Sequence, residues 1–445
     1  MVNKTLEDQF NFLNASSLVN IILVCNAFVW YFFAITILKG ATANFQSNST
    51  VLQIWIVHFS SIGISAIIGA ALTSRLHNRV KFLIFWMILG ILSSSVTILL
   101  DLAYLPNVLL IASLLGFSLG IGMPCCMGYF TESIKIESRG RVGGVIMLLS
   151  GLGIVILGMV PEGNSSFQGL ILTVWRIIGL LFFLLLQSNV KNLAKGVAPS
   201  YRSLSNSPFL LYLIPWIMFS LIAYLTIPIQ SKYIGNAEIN YLTMLNNVFI
   251  GIFAIVGGFL IDAVGRKRMS IIGFSLMGTA YAILGLFYET SSSWYFYTII
   301  NGIAWGIFYV IFVVTIWGDL SPGKSSDMYY AVGVLPFFVS NFIQLTIGNN
   351  LGDLIPTADI FTFSAFFLFL AVLPLVYAPE TLPEKIMKER ELKSYVEKAL
   401  KKVQKETGKS QRKDSGEAEK ENKDGEEAEE IPEYEEARKL AEKYY

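Results

Sequence analysis

Over its first 381 positions this chain turns apolar again and again, each time for about the 20 residues that a helix needs to cross the hydrocarbon core of a bilayer. The runs fall near 16–38, 51–74, 82–100, 106–130, 142–161, 169–189, 209–230, 241–261, 269–288, 294–317, 328–348 and 360–378. In hydrocarbon every backbone N–H and C=O must be satisfied within its own segment, so the runs predict helices. Interior prolines such as Pro215, Pro228 and Pro336 are tolerated in such helices. Only 15% of the residues are charged, against roughly 25% for a soluble chain. The charges are also displaced, with 18 of the 32 acidic and 16 of the 33 basic residues in 382–445. The fold class expected is therefore an all-α membrane protein.

The loops predict its orientation. Alternate loops hold Arg75, Arg79 and Lys81; Lys135, Arg139 and Arg141; Lys191, Lys195 and Arg202; Arg266, Lys267 and Arg268; and Lys324. The loops between them hold only Lys39 and Lys232. Cationic loops stay cytoplasmic, so both termini are expected in the cytoplasm, which requires an even number of spans. The N-terminus, MVNKTLEDQFNFLNAS, is acidic where a cleavable signal is positive. The longest polar break inside the body, 190–208, divides the spans six and six, a layout of paired transporter repeats. The domains expected are a first bundle at 1–189, a cytoplasmic linker at 190–208, a second bundle at 209–381 and a charged cytoplasmic tail at 382–445. In the tail, Leu392, Val396, Leu400 and Val403 follow helical spacing, and 384–406 is expected to be an amphipathic helix. Its cations could meet anionic lipid headgroups, or the tail could be a solvated helix with a disordered acidic end.

One loop carries a denser signal. Gly257-Gly258-Phe259-Leu260-Ile261-Asp262-Ala263-Val264-Gly265-Arg266-Lys267-Arg268 joins the eighth run to the ninth. Gly258 would let two helices approach closely, Gly265 would allow a tight turn, and Asp262 needs a cation or a helix N-terminus. The segment resembles the G-x-L-x-D-x-x-G-R-K/R loop of the major facilitator superfamily, at the place that family has it. The resemblance implies twelve helices in two six-helix bundles and transport of a small solute by alternating access. It also implies that Gly258, Asp262, Gly265, Arg266 and Lys267 belong to a cytoplasmic gate. The first-half counterpart keeps Arg75 and Arg79 but has Thr73 or Ser74 where the acid would be, so that half must be weaker or built differently. Glu132 before Arg139-Gly140-Arg141-Val142-Gly143-Gly144, Asp319 after the tenth run, and Pro379-Glu380-Thr381 after the twelfth resemble connections of the sugar-porter branch. The resemblance implies that Glu132, Arg139 and Asp319 join the gate. The departures are Gly116, where proton-coupled members often have Arg, and Tyr224–Gln230, which lacks the paired glutamines of sugar porters.

Polar residues inside spans are candidates for the solute site. They are Asn26 and Trp30 in the first run, His58 in the second, Asn246 and Asn247 in the eighth, Asn301 and Trp305 in the tenth, and Asn341 and Gln344 in the eleventh. Asparagine and glutamine also glue membrane helices together, so each has that alternative role. Arg176 lies two turns into the sixth run and is expected to snorkel outward. No carboxylate falls near the centre of the lining helices, which favours a uniporter, or coupling through His58 or another ion, and a neutral or amphipathic solute. Partners expected are that solute, a proton or sodium ion if transport is coupled, and membrane lipids. No nucleic acid is expected, and the chain is expected to be a monomer in the plasma membrane. Cys25, Cys125 and Cys126 lie in apolar runs without metal-ligand spacing, and no catalytic motif, metal site or cofactor is expected. A non-transporting sensor or scaffold with the tail as output is the alternative. A lipid enzyme is disfavoured by having only two histidines and no acidic pair.

Overall fold

The structure is a computed structural model. It describes residues 14–74, 78–160, 164–187, 207–233, 236–321, 326–346 and 356–382, with the side chains of 224–240 and 357 outside that description. The linker 190–206, Arg75 and the predicted tail helix lie outside the described residues. Two compact units are distinguished, Met1–Thr381 and Leu382–Tyr445.

The described body is helical. Its helices are α1 (Ala15–Thr42), α2 (Asn48–Thr73), α3 (Arg79–Leu99), α4 (Leu105–Ser133), α5 (Arg139–Gly158), α6 (Ser165–Gln187), α7 (Ser207–Tyr233), α8 (Asn236–Val264), α9 (Arg266–Phe287), α10 (Ser291–Asp319), α11 (Ser326–Thr346) and α12 (Thr357–Leu370 with Val372–Tyr377). Eleven of them are long and apolar enough to cross a membrane, and Ser207–Ala223 adds an apolar stretch in α7. Each predicted run thus becomes a helix. Several extend beyond their apolar run, because hydropathy marks the hydrocarbon stretch while the hydrogen-bonded helix continues to its cap. Asn14 accepts from the Ser17 N–H at 2.9 Å to start α1, and Asn78 accepts from the Lys81 N–H at 3.2 Å to start α3. α10 changes pitch at a π-helical stretch, Tyr309–Thr315.

The first bundle is held by α2 against α4, α3 against α6, and α1 against α5 and α6. The second repeats this with α8 against α10, α9 against α12, and α7 against α11 and α12. Across the middle, α5 packs on α8, and α11 packs on α2 and α4. Large apolar side chains point outward, among them Leu185 at 67% exposure and Phe363 at 64%. A water-facing surface would not carry such a belt, and hydrocarbon would.

Candidate functional site

At the end of the body where the cationic loops gather, two ionic clusters bridge the bundles. The first is organised by Asp262 at the end of α8. Its carboxylate accepts from the backbone N–H groups of Gly140 and Arg141, each at 2.9 Å, and so caps the N-terminus of α5. Gly140 and Gly258 make this possible: a Cβ on Gly140 would come within 2.6 Å of both the Asp262 carboxylate and the Gly258 carbonyl. Arg266 opens α9 and pairs with Asp262 at 3.1 Å and with Asp319 at 2.9 Å. Arg139 reaches Asp319 from the other bundle at 2.6 Å. Asp262, Arg266 and Asp319 are almost fully buried, so the charges are compensated by one another and by fixed backbone dipoles.

Gly265 takes φ +113°, a turn open to glycine; its N–H donates to the Ile261 carbonyl at the end of α8, and its carbonyl accepts from the Met269 N–H to open α9. Behind that turn Glu380 accepts from the N–H groups of Arg266 at 2.9 Å and Lys267 at 3.1 Å. The Lys267 ammonium donates to the Val376 carbonyl at 2.7 Å. The Pro379-Glu380-Thr381 segment therefore buttresses the cluster.

The second cluster answers the question left by Thr73. Four residues separate Gly69 from Thr73, as they separate Gly258 from Asp262, so Thr73 holds the acid's position. The missing carboxylate comes from the opposite side of the interface: Asp327, at the start of α11, accepts from the Thr73 hydroxyl at 2.6 Å and pairs with Arg79 at 2.7 Å. Arg79 also pairs with Glu132 at 3.1 Å. Asp327 is fully buried. Sequence reasoning missed it; the available signal was an acid opening an apolar run just after a cationic loop. Between the clusters, the hydroxyls of Thr131 and Tyr330 meet at 3.1 Å, Tyr330 donates to the Val314 carbonyl, and Arg139 donates to the Thr131 carbonyl.

Above these clusters lies a cavity of about 210 Å³ between the bundles. The first bundle lines it with Phe28, Tyr31 and Phe32 of α1, the Leu119–Met127 stretch of α4, and Met147, Ser150 and Ile154 of α5. The second contributes Ile250, Tyr309, Val313, Tyr330, Phe337 and Phe338. Tyr309 and Val313 belong to the π-helical stretch, an irregularity often found at functional positions.

The in-span polar candidates are placed mostly in contacts between helices. Asn26 donates to the Trp175 carbonyl and accepts from Arg176, both at 2.8 Å. Trp30 donates to Ser94 at 2.7 Å. His58 bonds the Ala112 carbonyl through Nδ1 at 2.9 Å, which requires the proton on Nδ1, and its buried Nε2 has no partner. That contact lies where Gly116 of α4 meets α2. Asn301 donates to Asn246 at 2.9 Å, and Asn247 is exposed. Trp305 packs between Phe219, which it meets edge-on, and Tyr309, to which it is tilted. Asn341 lies beside the Tyr31 hydroxyl, one layer behind the cavity wall, and Gln344 is half-buried on the same helix. Arg176 does not snorkel. It is fully buried between the rings of Trp86 (4.4 Å) and Trp30 (5.4 Å), because these indoles and Asn26 offer it a better seat than the apolar edge of α6. No group of metal-binding side chains occurs among the described residues.

Two six-helix bundles, a cavity between them and ionic clusters at one end define a secondary transporter. The sequence profile described as Major Facilitator Superfamily matches residues 209–413. The Glucose transporter GlcP of Staphylococcus epidermidis (strain ATCC 12228 / FDA PCI 1200) is 22% identical over 383 residues, covering 73% of this chain and 84% of that protein. The solved proton:xylose symporter XylE, bound to 6-bromo-6-deoxy-D-glucose, shares the fold with a TM-score of 0.63 at 17% identity, over 83% of this chain and 97% of that one. The transporter FucP in its outward conformation gives a TM-score of 0.60 at 13% identity, over 82% of this chain and all of its own. The second half of the chain thus matches the major facilitator superfamily, the whole body shares the fold of these transporters, and the protein is a secondary carrier of a small solute.

Proposed function

We propose that the protein is a uniporter of an uncharged solute in the plasma membrane, with its cation-rich face in the cytoplasm. The solute binds in the cavity between the bundles, and the clusters at Asp262 and Asp327 latch the cytoplasmic side. The observation that carries this reading is that every ion pair bridging α5 to α10 or α3 to α11 lies on one face, below the cavity. With these pairs formed, the bundles are held together at that end, and parting them is the step that exposes the site to the other side. Tyr330 takes part in both regions, since it lines the cavity and bonds Thr131 beside the latch. Binding at the cavity can thereby bias the latch.

The absence of an in-span carboxylate supports uniport. Among the described side chains the acids lie in the two clusters, in Glu380 and Glu137 beside them, or at the far loops in Asp101, Glu289 and Asp359. None lines the cavity. Proton relays in membranes ordinarily use such a group. His58 is the other candidate for coupling, and its ring is packed between α2 and α4 rather than in the cavity wall. The chemistry present is that of a carrier and not of an enzyme, and the membrane and cytoplasmic assignments rest on the loop charges. The test is uptake by the reconstituted protein across a panel of neutral solutes, with and without proton and sodium gradients. Saturable uptake that needs neither gradient supports the reading; uptake that vanishes without a gradient overturns uniport.

A further inference from the structure

The cavity wall is poor in hydrogen-bonding groups. Its described hydroxyls are those of Tyr31, Ser150, Tyr309 and Tyr330. Tyr330 is already committed to Thr131 and the Val314 carbonyl. The Ser150 hydroxyl has only the Cys25 sulfur beside it, and the Tyr31 hydroxyl, next to Asn341, completes no hydrogen bond of good geometry. Both of these oxygens are covered by protein, so among the described side chains the Tyr309 hydroxyl is the one left to receive a solute. The amides that might have served a many-hydroxyl ligand are turned to other helices: Asn26 to α6, Asn246 and Asn301 to each other.

The rest of the described wall is apolar, made of aromatic rings, thioethers and aliphatic side chains such as Ile62, Ile154 and Val313. Phe28, Phe32, Phe337 and Phe338 line it together with Met123, Met127 and Met147. Methionine sulfur packs favourably against ring edges and adapts to irregular shapes. A sugar-sized polyol fits by size, yet most of its hydroxyls would be buried without partners, and each such loss is large against the binding energy available.

We infer that the cavity is built for an uncharged, ring-bearing and predominantly apolar solute with one or two hydrogen-bonding groups, and not for a polyol. This rests on the reading of the cavity as the solute site. The Tyr309 hydroxyl sets the solute's orientation, and the apolar wall holds its body. It separates this chain from the glucose and xylose carried by the proteins it resembles.

The test uses the purified full-length protein with 2-naphthol, D-glucose and D-xylose as probes, in equilibrium dialysis and thermal unfolding. The expected result is saturable binding of 2-naphthol and none of either sugar. Tyr309→Phe removes the one accessible hydroxyl while keeping the packing, and should weaken 2-naphthol binding about fivefold. Saturable binding or uptake of glucose or xylose would overturn the inference and leave the transport reading standing. Failure of 2-naphthol to bind would also overturn it, as would binding indifferent to Tyr309→Phe. A separate readout addresses the transport reading: the distance across the latch in spin-labelled protein. Binding of 2-naphthol that never changes that distance would count against transport from this cavity without touching the solute class.

Discussion

Asp327 on α11 lies 2.7 Å from Arg79 on α3 and 2.6 Å from the Thr73 hydroxyl on α2, so the first bundle borrows from the second the carboxylate that its own α2 lacks. At the other cluster the acid, Asp262, lies on α8 and its backbone partners lie on α5. The two halves of the latch therefore have the same job with the acid on opposite sides of the helix pair. In both cases the acid belongs to the second bundle.

This transposition makes a sharp prediction. Thr73→Asp alone places a second carboxylate against Asp327 in a buried site and should destabilise the latched state strongly. Adding Asp327→Ser restores one acid and one hydroxyl with their positions exchanged. The double variant should recover most of the lost transport rate and thermal stability. If the double variant is no better than Thr73→Asp, the two positions are not interchangeable parts of one latch.

Asp262→Asn removes a charge that Arg266 faces and replaces one of two accepting oxygens with a donor pointed at the α5 N–H groups. Loss of a buried charged hydrogen-bond partner costs about 2 kcal/mol, enough to shift the population of states more than tenfold. Transport should slow by about that factor while solute affinity changes little, because the cavity is untouched. Equal loss of rate and affinity would place Asp262 in the binding site instead.

Gly128 offers a steric test of the other cluster. A Cβ there would run into both the Asp327 carboxylate and the Arg79 guanidinium. Gly128→Ala should therefore open the Arg79–Asp327 pair without altering any charge, and mimic Asp327→Asn in transport rate. A Gly128→Ala protein with normal rate and stability would show that the pair contributes little.

Arg176 has a stacked seat but two buried guanidinium nitrogens, Nε and Nη2, without partners. An apolar chain of similar length avoids that desolvation cost, whereas lysine keeps the charge and loses the stacking. Thermal unfolding should rank Arg176→Met at or above the wild type and Arg176→Lys below both. The reverse order would mean that the charge itself is needed where it lies.

How far the sequence reached follows from what kind of signal each residue gives. Hydropathy and loop charge carried the helices, because the bilayer sets both length and polarity. The Asp262 loop was legible since its glycines, acid and cations have a fixed spacing and local causes. Asp327 was not, because its partners, Thr73 and Arg79, are about 250 positions away and only the packing of α11 on α2 and α4 brings them together. The in-span polar residues lie on helices that also line the cavity, but most of them turn toward neighbouring helices. Asn26 and Tyr31 lie on the same helix, five residues apart, and only Tyr31 turns to the cavity. An apolar helix surrounded by protein and lipid has no polar face from which to read that rotation. Tyr309 and Ser150 were silent for a related reason, since single hydroxyls in apolar runs look like ordinary span residues.

The most direct measurement of the latch is the distance between spin labels at Lys135→Cys and Arg268→Cys, two exposed positions on the cation-rich face in opposite bundles. The wild-type background should give mainly one short distance. Asp262→Asn with Asp327→Asn should add a longer one as the dominant population. An unchanged distribution in that double variant would contradict the claim that these two carboxylates hold the bundles together.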